Sequence, residues 1–322
     1  MDLSHVDNVA GSIFRISIAV LKTHQGKQFT GSLIASLSIP WGTHRGDHDL
    51  GGYHLIWPRD QVETADAFLA VNDLESAKQI LIFLLSTQEG DGHWPQNMWD
   101  DGKSYWSKVQ LDETALPIFL AGQLKKANYL KRLNPYMMVK KGVSYLLNNG
   151  PITEQDRWEE AHGLTPYTLA VLISSFLIAA DFCEDEDDTV CSEYIREAAD
   201  WWNYCIERWL YVKDTPLSKQ IGVEGYYIRI NPSCSAIESP INLKVTIANR
   251  PMHEAVYPAW YIISCDALAL VRFGLRDAKD PKIINTIKVI DAVLKTETPR
   301  GPVWHRYNED GYGEKPDGSA FD

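Results

Sequence analysis

The sequence predicts an all-α protein made of helical hairpins, on three observations. Apolar residues recur at helical spacing through nearly the whole chain. No regular exchange between helical and strand-like runs points to a parallel sheet. Short connections alternate with long ones, so successive helices are antiparallel neighbours and every long connection emerges at the same end. With 322 residues, 45% hydrophobic and 23% charged, the chain has the material for one large or two ordinary domains around a sizeable core.

In order, the periodicity places helices near 5–24, 60–71, 74–88, 111–128, 134–148, 165–183, 190–210, 254–273 and 280–297. The short links fall around 72–73, 129–133, 184–189 and 274–279. The long ones are 25–59, 89–110, 149–164, 211–253 and everything from 298. Within 211–253 the run Gly225-Tyr226-Tyr227-Ile228-Arg229-Ile230 has the composition of a strand. The acidic run Glu184-Asp185-Glu186-Asp187-Asp188 lacks the glycine and spacing of a calcium loop and reads as a solvated turn between helices.

The net charge of −12, with no local basic cluster against it, argues against nucleic acid and anionic membranes as partners. No run of about 18 apolar residues is evident, and Met1-Asp2-Leu3-Ser4-His5 has neither the basic nor the apolar part of a signal peptide, which favours the cytoplasm. Five cysteines, Cys183, Cys191, Cys205, Cys234 and Cys265, form no CxxC pair, and their odd number is read as mostly buried free thiols. No metal site and no organic cofactor are implied, and the oligomeric state is left open.

The long connections carry the chemistry. Seven of the eleven tryptophans lie between helical segments: Trp41, Trp57, Trp94, Trp99, Trp106, Trp158 and Trp304. Each alone is as readily a plug over core as a ligand contact; together, at one end of a bundle, they suggest a binding cleft. Trp158 stands beside paired carboxylates in Asp156-Arg157-Trp158-Glu159-Glu160. Sugars offer apolar C–H faces to aromatic rings and hydroxyls to carboxylates, so cleavage of a glycosidic bond needs such a set. The plainer alternative is a helix start with acids near its positive end.

The motifs, taken in order, resemble glycoside hydrolase family 15, the glucoamylase and glucodextranase family, in its microbial form. They are Ser36-Leu37-Ser38-Ile39-Pro40-Trp41-Gly42, Gly52-Tyr53-His54-Leu55-Ile56-Trp57-Pro58-Arg59-Asp60, Gly92-His93-Trp94-Pro95-Gln96-Asn97, Gln110-Leu111-Asp112-Glu113, and Arg157-Trp158-Glu159-Glu160 followed by Thr165-Pro166-Tyr167-Thr168, with Asp310-Gly311-Tyr312 beyond. The resemblance implies an (α/α)6 toroid of twelve helices, of which about nine are visible, in a catalytic domain over residues 1–322. It also implies an inverting, exo-acting α-glucosidase releasing glucose from non-reducing ends of α-glucans, in which one carboxyl protonates the leaving oxygen and another activates water.

Residue by residue, Glu159 matches the general acid, with Trp158 beside it. Arg59 and Asp60, preceded by Trp57, match the pair that holds the terminal glucose by its remote hydroxyls; a structural ion pair is the alternative. Trp106, Lys108 and Gln110 resemble the wall near the cleavage point. Glu160 resembles the acceptor for hydroxyls of the next sugar, and Arg306 a sugar-binding arginine of the later loop. The family's base lies in a later loop than any present; Asp112, Glu113, Asp310 and Glu314 do not sit where it belongs. The 322 residues are thus expected to lack the closing helices, the base and the amino-terminal β-sandwich, and alone to be poorly behaved and not to hydrolyse maltooligosaccharides at a useful rate. The alternative is a non-catalytic carbohydrate-binding or regulatory relative, as glucoamylase-like domains occur in the regulatory subunits of phosphorylase kinase. A terpene cyclase is not supported: DDxxD does not occur, and the DxDD at Asp185-Glu186-Asp187-Asp188 lies in the acidic run read as a turn between helices. Linkage preference, α-1,4, α-1,6 or trehalose, is not separable.

Overall fold

The computed structural model describes residues 9–37, 52–233, 239–248 and 250–311, excluding the side chains of residues 9–12. Met1–His5, most of the Ser36–Gly42 motif with Trp41, Cys234 and Glu314 lie outside the described residues. Contacts cluster into two compact units, Met1–Tyr145 with Asp181–Thr189, and Leu146–Ala180 with Val190–Asp322.

The first unit holds α1 (Val9–Thr23), α2 (Pro58–Ala70), α3 (Leu74–Thr87), the hairpin β1 (Asn97–Met98) and β2 (Ser104–Trp106), α4 (Leu111–Lys126), and most of α5 (Tyr136–Asn149). Pro58 opens α2, where its fixed φ suits the first helical position and its missing amide costs nothing. Asn72, at φ 63°, reverses the chain, and Asp73 caps α3 by accepting the Ser76 amide at 3.2 Å. The short link therefore folds α3 onto α2, and both pack on α4 around Phe68, Ile80, Leu84 and Leu120. The start of α4 is buried on every side from Leu111 to Pro117, so this helix is core throughout rather than amphipathic. The acidic turn after residue 183 is more than a solvated link. Glu186 accepts Asn134 Nδ2 at 2.9 Å, and Asp188 accepts Lys140 Nζ at 2.7 Å.

The second unit is built on α6 (Pro166–Asp185, to Ala180) and α7 (Thr189–Leu210), with β3 (Tyr211–Lys213), α8 (Pro216–Ile221), β4 (Gly225–Tyr227), β5 (Lys244–Thr246), β6 (Val256–Pro258), α9 (Ala269–Arg272), α10 (Pro281–Val293), β7 (Lys295–Thr298) and β8 (Gly301–Trp304). All its strands pair as antiparallel two-stranded hairpins. The strand-like run at 225–230 does pair, Tyr211 opposite Tyr227, and Ile228, Arg229 and Ile230 continue it as buried backbone. α10 packs against β4. α6 passes a test of length and composition for crossing a membrane, with a mean hydropathy of 1.6 over its most apolar window, which corrects the reading that no such run exists. Its window is 83% buried, so it is a core helix by position.

Two helix expectations are wrong. Residues 254–273 form β6, 3₁₀ turns at Ala259–Tyr261 and Cys265–Leu268, and only one turn of α-helix, α9. The cause is in the sequence: Pro258 removes an amide, and Val256, Tyr257, Trp260, Tyr261, Ile262 and Ile263 favour extended backbone. Residues 280–297 leave the helix at Val293, because Thr296, Thr298 and Pro299 before Gly301, at φ 115°, make the hairpin β7–β8. The short helix α8, capped by Thr215 and ended by Gly222 at φ 77°, was not foreseen.

Candidate active site

The expected residues fall into two constellations, one in each unit. In the first, Trp57 is the residue before α2 and is only 4% exposed, its ring 6.3 Å from that of Tyr53. Arg59 follows in the first turn, half-buried like Asp60. The first turn of α4 holds the Arg59 guanidinium: Nε donates to Asp112 Oδ2 at 2.8 Å, and Nη2 meets Glu113 Oε1 at 2.9 Å and the Gln110 side-chain oxygen. The Arg59 amide donates to Glu113 Oε2 at 2.5 Å. Planar, forked contacts of this kind leave the guanidinium one orientation. Gln110 is wholly buried and reaches Arg59, so any effect it has on a ligand passes through that arginine.

Glu113 has no exposure, and burial pushes its carboxyl well above the ordinary range. Arg59 opposes the shift, and the charges of Asp112 and Asp60 add to it. On the neighbouring hairpin the Trp106 amide donates to Asn97 Oδ1 at 2.9 Å, leaving the indole half-buried, while Lys108 is exposed. Trp94 is not part of any cleft: it is fully buried and its indole donates to the Leu84 carbonyl at 2.9 Å.

The second constellation is the turn at 156–161. The Asp156 amide donates to the Ala161 carbonyl at 2.7 Å, and the Glu159 amide donates to the Asp156 carbonyl at 2.8 Å. Asp156 Oδ1 accepts the amides of Glu160 at 3.0 Å and Ala161 at 3.2 Å. These bonds hold Glu159 at φ 65°, a left-handed conformation that costs a residue with a side chain about 1–3 kcal/mol and persists only where neighbours enforce it. Glu159 is half-buried there.

Trp158 lies between two guanidinium groups, Arg157 at 4.5 Å and Arg306 at 5.0 Å from its ring centre, and its indole donates to Asp266 Oδ2 at 3.3 Å. Asp266 is buried, which raises its carboxyl above the usual range against the pull of Arg157. Glu160 accepts from the Tyr307 hydroxyl, from Arg229 at 3.3 Å and from Arg306 at 3.3 Å. Burial raises it too, and those three donors oppose the rise. Arg306 is gripped by Asp310 through two bonds, 2.6 and 2.7 Å; burial works against its charge, but Asp310 and Glu160 outweigh it.

The sequence reading missed Arg229, Tyr307, Asp266 and Arg157 as members of this group. Arg229 had a signal, since a lone arginine between Ile228 and Ile230 in an apolar run must be buried with a partner. Beneath the turn, Ala161, Ile230, Ile247, Ile262 and Tyr307 form a small core against which Trp158 packs. Among the described residues no group of three or more His, Cys, Asp or Glu is placed to hold a metal ion.

Glu159 and Glu160 stand beside a clamped tryptophan, Glu160 held by Arg229 and Arg306, a set able to donate a proton and accept sugar hydroxyls. Comparison with known proteins gives the family. The profile of Glycosyl hydrolases family 15 matches residues 9–91 and 95–321. The chain belongs to that family. It is 38% identical, over 97% of its length, to a glucoamylase of Clostridium sp. (strain G0005), and spans 42% of that relative. Among solved structures, a bacterial glucoamylase complexed with acarbose matches with a TM-score of 0.87 and 38% identity, covering 97% of this chain and 44% of that one. A structure described as a wild-type glycosidase matches with a TM-score of 0.64 at 16% identity, covering 94% of this chain and 73% of that one, a likeness of fold. The fold of the family 15 chain is thus that of the bacterial glucoamylase, the (α/α)6 hairpin arrangement, over somewhat less than half of that protein's length.

Proposed function

We propose that the protein is an inverting, exo-acting α-glucosidase that releases glucose from the non-reducing ends of α-glucans. The observation that carries this reading is the clamped turn Asp156–Ala161. It holds Glu159 half-exposed in an enforced left-handed conformation beside Trp158, at the position matching the family's general acid.

In the reaction, Glu159 gives its proton to the glycosidic oxygen as the C1–O bond breaks. Water attacks C1 from the opposite face and passes a proton to a base, which the family places in a loop later than these residues. Glu160, ringed by Tyr307, Arg229 and Arg306, accepts hydroxyls of the sugar being released, and Arg306 reaches the same sugar. Asp60 takes the remote hydroxyls of the terminal glucose beside Arg59, whose orientation Asp112, Glu113 and Gln110 fix. Trp57, Trp106 and Lys108 match substrate-binding residues of the family, and acarbose bound to a similar glucoamylase supports an oligosaccharide ligand.

The test is product analysis from maltoheptaose, with azide added in a parallel reaction as an external nucleophile that needs no base. Glucose or glucosyl azide with maltohexaose as the co-product of the first turnovers supports the reading. Maltose, maltotriose or their azides among the first products refute one-unit release, and no product under either condition refutes the hydrolytic assignment.

A further inference from the structure

The geometry of the 156–161 turn depends on one group. Four of the turn's bonds converge on Asp156, whose amide, carbonyl and Oδ1 are each engaged with the chain between Glu159 and Ala161, and one more comes from Gln155 Nε2 to the Glu159 carbonyl at 3.1 Å. Where that carboxylate is held therefore decides how Glu159 is presented. Its other oxygen, Oδ2, meets Arg229 Nη2 at 2.5 Å. The same nitrogen reaches Glu160 Oε2 at 3.3 Å, and the guanidinium lies 4.0 Å from the ring centre of Tyr307, whose hydroxyl also donates to Glu160 Oε2. Arg229, Asp156, Glu160 and Tyr307 thus form a closed ring under the turn.

Arg229 is 1% exposed, so it cannot touch a sugar. Its Nε and Nη1 are buried and find no hydrogen-bond partner among the described residues. Burying a guanidinium with two nitrogens unsatisfied is unfavourable. What it gains is an orientation: a planar, stacked group that fixes two carboxylates at once.

We propose that Arg229 is a positioning residue for the general acid, acting through Asp156 to set the direction in which Glu159 presents its carboxyl and tying that direction to Glu160. This rests on the assignment of Glu159 as the acid. A role in mere stability would loosen the whole unit and slow every substrate alike. Positioning of the acid instead loosens one turn and slows those reactions whose leaving group needs a proton.

Both signatures are measurable on Arg229→Met and on Arg229→Lys, which keeps the charge but cannot lie flat on Tyr307. By hydrogen exchange and mass spectrometry, Arg229→Met exchanges the amides of 159–161 faster by about tenfold or more while those of α3, in the other unit, stay as in the wild type, with Arg229→Lys between. In kinetics, turnover of maltoheptaose falls at least about tenfold further than turnover of a dinitrophenyl α-glucoside, whose phenolate departs without a proton, and KM barely moves. Unchanged exchange at 159–161, uniform loosening across both units, or an equal fall on both substrates would overturn the proposal. A wild-type protein inactive on both substrates even with azide present would overturn the hydrolase reading instead, and the exchange result would still decide whether Arg229 holds the turn.

Discussion

The pair Asp156–Arg229 gives a stability prediction that follows from the structure atom by atom. Their side chains are 2% and 1% exposed and meet at 2.5 Å. Arg229→Met leaves the Asp156 carboxylate buried with two backbone donors and no cation. Asp156→Ala leaves the guanidinium with Glu160 at 3.3 Å and the Tyr307 face, and strips the acceptor from the amides of Glu160 and Ala161. Removing one partner of a buried pair costs about 3–5 kcal/mol in each case. The double variant strands neither charge, so its loss is also about 3–5 kcal/mol, well short of the sum of about 6–10, with a coupling energy of about 3–5 kcal/mol. At roughly 2–4 °C per kcal/mol for a unit of this size, each single variant lowers Tm by about 6–20 °C. Scanning calorimetry and guanidinium unfolding on the four proteins check this. Additive losses, within about 0.5 kcal/mol, would show that the two groups do not act as a pair.

Three further outcomes are expected. Glu159→Gln keeps shape without the proton, so turnover falls about 10²–10⁴-fold while acarbose affinity, read by calorimetry, changes little. Asp60→Asn weakens acarbose binding and turnover together, because an anchor is used in both ground and transition states; a change in only one would contradict the role. Glu113, Asp266 and Glu160 all have carboxyls raised in the folded state by burial, so the folded protein binds protons that the unfolded chain releases above its ordinary carboxylate range of about 4. Their contribution is fully present below about pH 4 and is lost as pH rises through their folded values, so Tm rises between pH 7 and roughly pH 5, and Glu113→Gln flattens that slope.

The hairpins were legible because short links leave no other geometry: Val71, Asn72 and Asp73 turn α2 into α3 with three residues. Residues 254–273 misled because their apolar residues also fall at helical spacing, and Pro258 with its β-branched and aromatic neighbours outweighed that pattern. Glu159 is proposed from its motif, whereas the groups that hold its turn leave no such signal. Asp156 and Arg229 lie 73 positions apart, and no local pattern pairs them. Trp94 illustrates the opposite error, a loop aromatic that is entirely core, with its indole on a helix-end carbonyl. Gln110 lies between the two cases, in the expected place but reaching Arg59.

The most direct test of the account is the anomeric configuration of the first product, read by proton NMR as maltoheptaose is consumed, with azide present where water alone is slow. The account requires a β-configured product, glucose or glucosyl azide, formed by the wild-type protein and lost in Glu159→Gln. An α-configured product, or equal rates with and without the Glu159 proton, would contradict inversion and the assignment of Glu159 as its acid.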